Sequence, residues 1–289
     1  MADEHNDYLG LSGTWRKVLQ YGSYALMVVA IACLATTLAK PEFMKALAVI
    51  GPDGAASIAA TSAIYFGLLA LLAQAWTITA SGTCRIAWSL SVRVYGMGVI
   101  AKYVPGAVLQ YASRHVLGAR HGWSHGKMLR ATFAEAALHI VCAALAAGAI
   151  VMADGPLGGV LAGALGASVA VFGRHSLLRA AGLQLCAFIG LALCVHWLAA
   201  HVLSMSSAPQ ITGAFMVAWI VSFAVPVAPG GIGIREGTFL MLAGTLAPAT
   251  ELAVLAILAR AMTTLGDAGF GLVAYGLSLR SRWNRHASA

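Results

Sequence analysis

The chain has 289 residues, 60% of them hydrophobic and only 10% charged, with a mean hydropathy of +0.82 and a formal charge of +8. A soluble domain carries about 25% charged and about 45–50% apolar residues, so this composition excludes a water-soluble globular protein and points to a polytopic membrane protein. The 18 basic residues gather at the ends of apolar runs. There they mark the cytoplasmic face of a membrane rather than a nucleic-acid surface.

Asp3, Glu4 and Asp7 precede Trp15-Arg16-Lys17, and neither a basic leader nor a cleavage site is visible. The first apolar run, 18–39, is therefore expected to be a retained helix. Lys40-Pro41-Glu42 closes it, and Gly51-Pro52-Asp53-Gly54 reads as a turn before a second span at 57–80. Residues 81–93 carry Arg85 and Arg93, and residues 94–111 contain Lys102-Tyr103-Val104-Pro105-Gly106. Residues 112–130 hold Arg114, Arg120, Lys127 and Arg130 with His115, His121 and His125, and read as a polar loop. A third span, 131–153, carries Glu135 and His139 four apart, on one helical face. After Asp154-Gly155-Pro156 come a short Gly-rich span at 157–172, a strong span at 180–203, and an uncharged loop from Ser204 to Gln210. Residues 211–247 contain a second interruption, and a long last span, 251–278, carries Arg260 and Asp267.

The second interruption is Val225-Pro226-Val227-Ala228-Pro229-Gly230-Gly231-Ile232-Gly233-Ile234-Arg235-Glu236-Gly237. Two prolines and three glycines forbid a continuous helix there. Broken backbone and full charge are costly at membrane depth, and are tolerated where protein or a wet cavity surrounds them. Arg16-Lys17, 81–93, 112–130, 174–179 and 280–285 are basic-rich and are assigned to the cytoplasm. Both 94–111 and 211–247 must then enter and leave by the same face. The expected fold is an all-α polytopic membrane protein: one membrane domain over 1–289, with about six transmembrane helices plus two re-entrant helical hairpins. These form an inverted repeat whose halves run over about 18–153 and 157–278. Both termini are expected in the cytoplasm of a bacterial inner-membrane protein.

Half-helix ends leave backbone N–H groups that attract anions. Gly230, Gly231 and Gly233 would let a phosphate approach the backbone, beside Pro229. Arg235 could grip it with two parallel hydrogen bonds, as could Lys102 or Arg114 near Pro105 and Gly106. Glu236 would hold Arg235 or bind an amine or hydroxyl. Arg260 and Asp267 lie seven apart and share a face, which reads as a structural ion pair. Glu135 and Asp267 are also candidates for ion coupling. No metal, cofactor or catalytic group is expected. His121 and His125 lack a third ligand of suitable geometry, and His139 reads as a hydrogen-bonded core residue. The glycines at 231 and 233 are not followed by the sixth position of a dinucleotide fingerprint.

These two motifs, Lys102 to Gly106 with Arg114 downstream and Pro226 to Gly237, resemble those of the lysylphosphatidylglycerol synthase transmembrane-region family, also called the flippase-like domain family. The resemblance covers roughly residues 15–280. It implies a lipid-translocating membrane domain whose partner is a membrane lipid or lipid-linked substrate with a phosphate, sugar or amine headgroup. Bifunctional relatives add a soluble aminoacyl-transferase domain; none follows here before Ala289, so aminoacyl transfer is not expected. The expected function is a flippase working by alternating access at the two hairpins. The alternative is a lipid-headgroup transferase, or an accessory subunit of a glycosyltransferase. Self-association and envelope-lipid enzymes are the protein partners to consider.

Overall fold

The computed structural model describes residues 41–83, 86–103, 108–225, 231 and 233–287. The described residues are all helical: α1 (Pro41–Ser81), α2 (Trp88–Ala101), α3 (Val108–Ala119), α4 (His125–Met152), α5 (Pro156–Phe172), α6 (Ser176–Trp197), α7 (Ala208–Ala224), α8 (Ile234–Ala243) and α9 (Ala249–Ala287). The expected helix at 18–39, together with Pro105, Gly106, Pro229 and Gly230, lies outside the described residues.

Four stretches are long and apolar enough to cross a bilayer: Ile50–Ser81, His125–Met152, Ser176–Val202 and Ala249–Arg280. A span of about 20 residues covers the hydrocarbon core, so α5 and α7, at 17 residues each, fall just short. The turn expected at 51–54 is a kink rather than a loop. Gly51 sits at φ 65°, a left-handed value that favours glycine. Pro52 then opens the following helical stretch, where its missing N–H costs nothing. The C-terminus of α6 widens into a π turn, Leu198–Val202, before Ser204 reverses the chain at φ 52°.

The polar stretch 112–130 is not a loop. α3 runs through it to Ala119, and α4 begins at His125, capped by Ser124, whose Oγ accepts from the Lys127 N–H. Its charges had suggested an exposed link, but Arg114 is buried on α3, Arg120 lies in the turn, and Lys127 and Arg130 sit exposed on the first turns of α4. Likewise α7 starts at Ala208, inside the loop expected from Ser204 to Gln210.

Two pairs of short helices face each other, α2 with α3 and α7 with α8. α9 packs on α1, α2 and α8, while α4 packs on α6, α7 and α3. α1 and α6 lie against each other between these groups. Small residues set the closest approaches. A side chain at Gly96 would collide with Ala274, and one at Gly271 with Ile100, so α2 and α9 cross nearly backbone to backbone. The core beneath is apolar, with Trp76, Ile150, Leu198, Ile211, Phe239, Leu255 and Phe270 fully buried. Phe133, Met152, Val160, Leu161, Leu165 and Phe172 are exposed on the outer faces of α4 and α5. A soluble protein would hide such a belt, whereas a lipid-facing surface displays one.

Candidate functional site

α2 ends at Ala101, and Lys102 and Tyr103 follow as a turn. That turn lies against α9, and both side chains reach Asp267. Lys102 Nζ is 2.6 Å from Asp267 Oδ2, and the Tyr103 hydroxyl donates to the same oxygen at 2.6 Å. The Tyr65 hydroxyl on α1 stands 3.5 Å from Oδ1, at the outer limit of a hydrogen bond. The Asp267 side chain is 2% exposed and that of Lys102 is 27% exposed, so the pair is buried on the carboxylate side and open on the ammonium side.

The residues after the second interruption reach the same helix. Gly231 and Gly233 take φ 69° and 83°, which only glycine adopts freely. They turn the chain into α8, whose first residues include Arg235 and Glu236. Glu236 Oε2 accepts from the Gly233 N–H at 2.8 Å, pinning the helix start. Its other oxygen takes Arg260 from α9, at 2.5 Å from Nη2 and 3.1 Å from Nε. Arg235 Nε stands 3.9 Å from that oxygen, so Arg260 is the tighter partner. Arg235 itself is buried. It lies within electrostatic reach of Arg260, Tyr103 and Tyr65, and Lys102 within reach of both arginines.

One neighbourhood thus holds Lys102, Arg235 and Arg260 with Asp267 and Glu236. Among the described residues, three basic side chains gather here with two carboxylates. Tyr65 and Tyr103 add hydroxyls. Like cations repel one another in a half-buried setting, and an anion placed among them relieves that cost.

Within the cluster the pairing differs from the expected one, while Arg114 and Glu135 pair with each other instead. Arg260 and Asp267 do not pair with each other but with Glu236 and Lys102. Arg114 points back into the first half, with Nη1 2.7 Å from Glu135 Oε2 and its guanidinium carbon 3.6 Å above the Tyr95 ring. Tyr95 donates to the other Glu135 oxygen at 2.7 Å. Arg114 Nε is buried without a partner. A Cβ at Gly98 would fall 2.8 Å from Arg114 Nε and 2.7 Å from the Gln110 carbonyl, so the glycine makes room for the ion pair. His139, one turn beyond Glu135, bonds through Nδ1 to Gln184 Oε1 at 2.7 Å. It stacks on Phe223 and touches Trp219 and Phe188.

Tyr65 and Tyr103 are site residues that the sequence reading passed over, and Tyr95 is a third unforeseen phenol, at the Arg114–Glu135 pair. The signal available was Tyr103 beside Lys102 at the interruption, a polar ring where the chain leaves its helix. Among the described residues, no three His, Cys, Asp or Glu side chains group as metal ligands do. No family model, curated protein or solved structure matches the chain.

Proposed function

We propose that the protein is a lipid translocase of a bacterial cytoplasmic membrane, with an anionic headgroup passing between the two helix interruptions. The observation that carries this reading is the cluster of Lys102, Arg235 and Arg260 around two carboxylates, assembled from both interruptions against one long apolar helix. Charges in such a setting are expensive and mark a substrate path more readily than a scaffold. Arg235 and Lys102 hold the phosphate, and Glu236 releases Arg260 to it or receives an amine or hydroxyl of the headgroup. The acyl chains stay in the bilayer.

The packing pattern supports an inverted repeat of two re-entrant hairpins. α9 of the second half crosses α2 of the first, and α4 of the first half crosses α7 of the second. In each half the second limb of the hairpin is ion-paired to the last helix, Arg114 to Glu135 and Glu236 to Arg260. Rocking of such halves about their shared α1–α6 contact would alternate access to the cluster. The motif resemblance to flippase-like domains points the same way.

The test is translocation of acyl-labelled phospholipids, anionic and zwitterionic, in proteoliposomes. Arg235→Gln should stop movement of the anionic lipid while circular dichroism and elution volume stay unchanged. An unchanged rate in that variant overturns the site. Formation of a covalent product from a labelled donor lipid by the purified protein would favour a headgroup transferase instead.

A further inference from the structure

A second feature lies at the far ends of α5 and α6, away from the charged cluster. A half-open cleft of about 280 Å³ is lined by Gln74 and Ile78 of α1, Ile86, Trp88 at the start of α2, Ala170 of α5, and Arg179 and Leu183 of α6. Ile78 is one turn from the end of α1, Ala170 one turn from the end of α5, and Arg179 in the first turn of α6. The cleft therefore opens at one end of the helix bundle, at the depth where a membrane meets water.

Its chemistry is divided. Ile78, Ile86, Ala170 and Leu183 make an apolar wall. Trp88 is 48% exposed at the rim, the placement of an interfacial indole. The Gln74 amide is already committed, donating to the Ile86 carbonyl and accepting from Ser91. Arg179 forms no ion pair among the described residues, and its first turn of helix offers no acidic side chain. A partly enclosed guanidinium above an apolar slot, beside an exposed indole, is complementary to one kind of occupant. An acyl chain fills the slot, a phosphate sits on Arg179, and the indole lies at the glycerol level.

We infer that this cleft is a binding site for an anionic phospholipid, separate from the translocation path and independent of it. The basic α5–α6 link, Arg174 with Arg179, assigns this end of the bundle to the cytoplasmic leaflet under the positive-inside rule.

The experiment is quenching of tryptophan fluorescence by brominated lipids in phosphatidylcholine vesicles. Trp88→Phe defines the Trp88 component by difference, and as a half-exposed side chain it can be replaced without disturbing the core. Brominated phosphatidylglycerol should quench that component saturably at low mole fraction. Brominated phosphatidylcholine should quench it only in proportion to its abundance. Arg179→Gln should raise the half-saturating fraction of phosphatidylglycerol roughly fivefold. Ala170→Trp, which fills the slot, should abolish saturation. Equal quenching by both lipids, or a saturation point that Arg179→Gln leaves in place, overturns the site. Displacement of the lipid by inorganic phosphate alone would also overturn it. None of these results depends on whether the protein translocates anything.

Discussion

Two places where a long helix crosses a short one, α9 on α2 and α4 on α7, differ in chemistry. Where α9 meets α2, a buried carboxylate, Asp267, takes an ammonium, a phenol and a second phenol at longer range. Where α4 meets α7, the buried polar residue is His139, satisfied by one amide and walled by Phe188, Trp219 and Phe223. The intra-half ion pairs differ in the same sense. Arg114 and Glu135 are 6% and 5% exposed, while Arg260 and Glu236 are 12% and 30% exposed. One side of the molecule is sealed and the other is open to a visitor. The lesson is that a charge within an apolar fold is not by itself a site; the partly open, cation-rich cluster is the one with something left to bind.

The sealed side should break first. Arg114→Met leaves Glu135 buried without its cation, and removing one partner of such a pair costs about 3–5 kcal/mol. Thermal unfolding in detergent should show the largest loss of any single change discussed here. Replacing the whole group by apolar residues, Arg114→Met with Glu135→Leu and Tyr95→Phe, should recover most of it. If the triple variant is as unstable as the single one, the pair is not the sealed structural tie described.

On the open side, Asp267→Asn should be the next most severe. It removes a charge-assisted hydrogen bond, worth about 1.5–3 kcal/mol, and leaves Lys102 without its own carboxylate and Glu236 as the one acidic partner named for the three cations. Translocation should fall at least about tenfold, equivalent to ~1.4 kcal/mol in the barrier. Glu236→Gln should cost less stability, about 1 kcal/mol or below, because its pair with Arg260 is partly exposed and water screens it. Yet it should cost as much transport as Asp267→Asn. A variant that loses stability in proportion to transport would place Glu236 with the scaffold instead.

Much of this was legible in the chain. The four long helices follow from apolar runs, and α2 and α7 end at Ala101 and Ala224, within a few residues of the expected breaks. The break at Gly51-Pro52 was legible, but the helix on its N-terminal side was not, and the expected turn is a kink. The fate of 112–130 was not legible, because a helix with one narrow buried edge and many charges has the composition of a loop. Partner choice was not legible either. Lys102 and Asp267 are separated by most of the chain, and no local spacing says that Arg260 will take Glu236 rather than Asp267. The tyrosines escaped because a phenol in an apolar helix has the same sequence signature as an interfacial anchor.

The smallest expected effect is also the most discriminating. His139→Phe removes the hydrogen bond to Gln184 but keeps an aromatic ring where Phe188, Trp219 and Phe223 already form a cage. The loss is about 1 kcal/mol for an amide left unsatisfied, partly offset by a better apolar fit. Gln184→Leu together with His139→Phe should restore the starting stability, since no polar group then remains unpaired. Translocation should be unchanged in both, measured beside Asp267→Asn in the same vesicles. If His139→Phe stops transport while the melting temperature holds, the headgroup or a proton visits both crossings, and the division of the molecule into a sealed half and an open half does not stand.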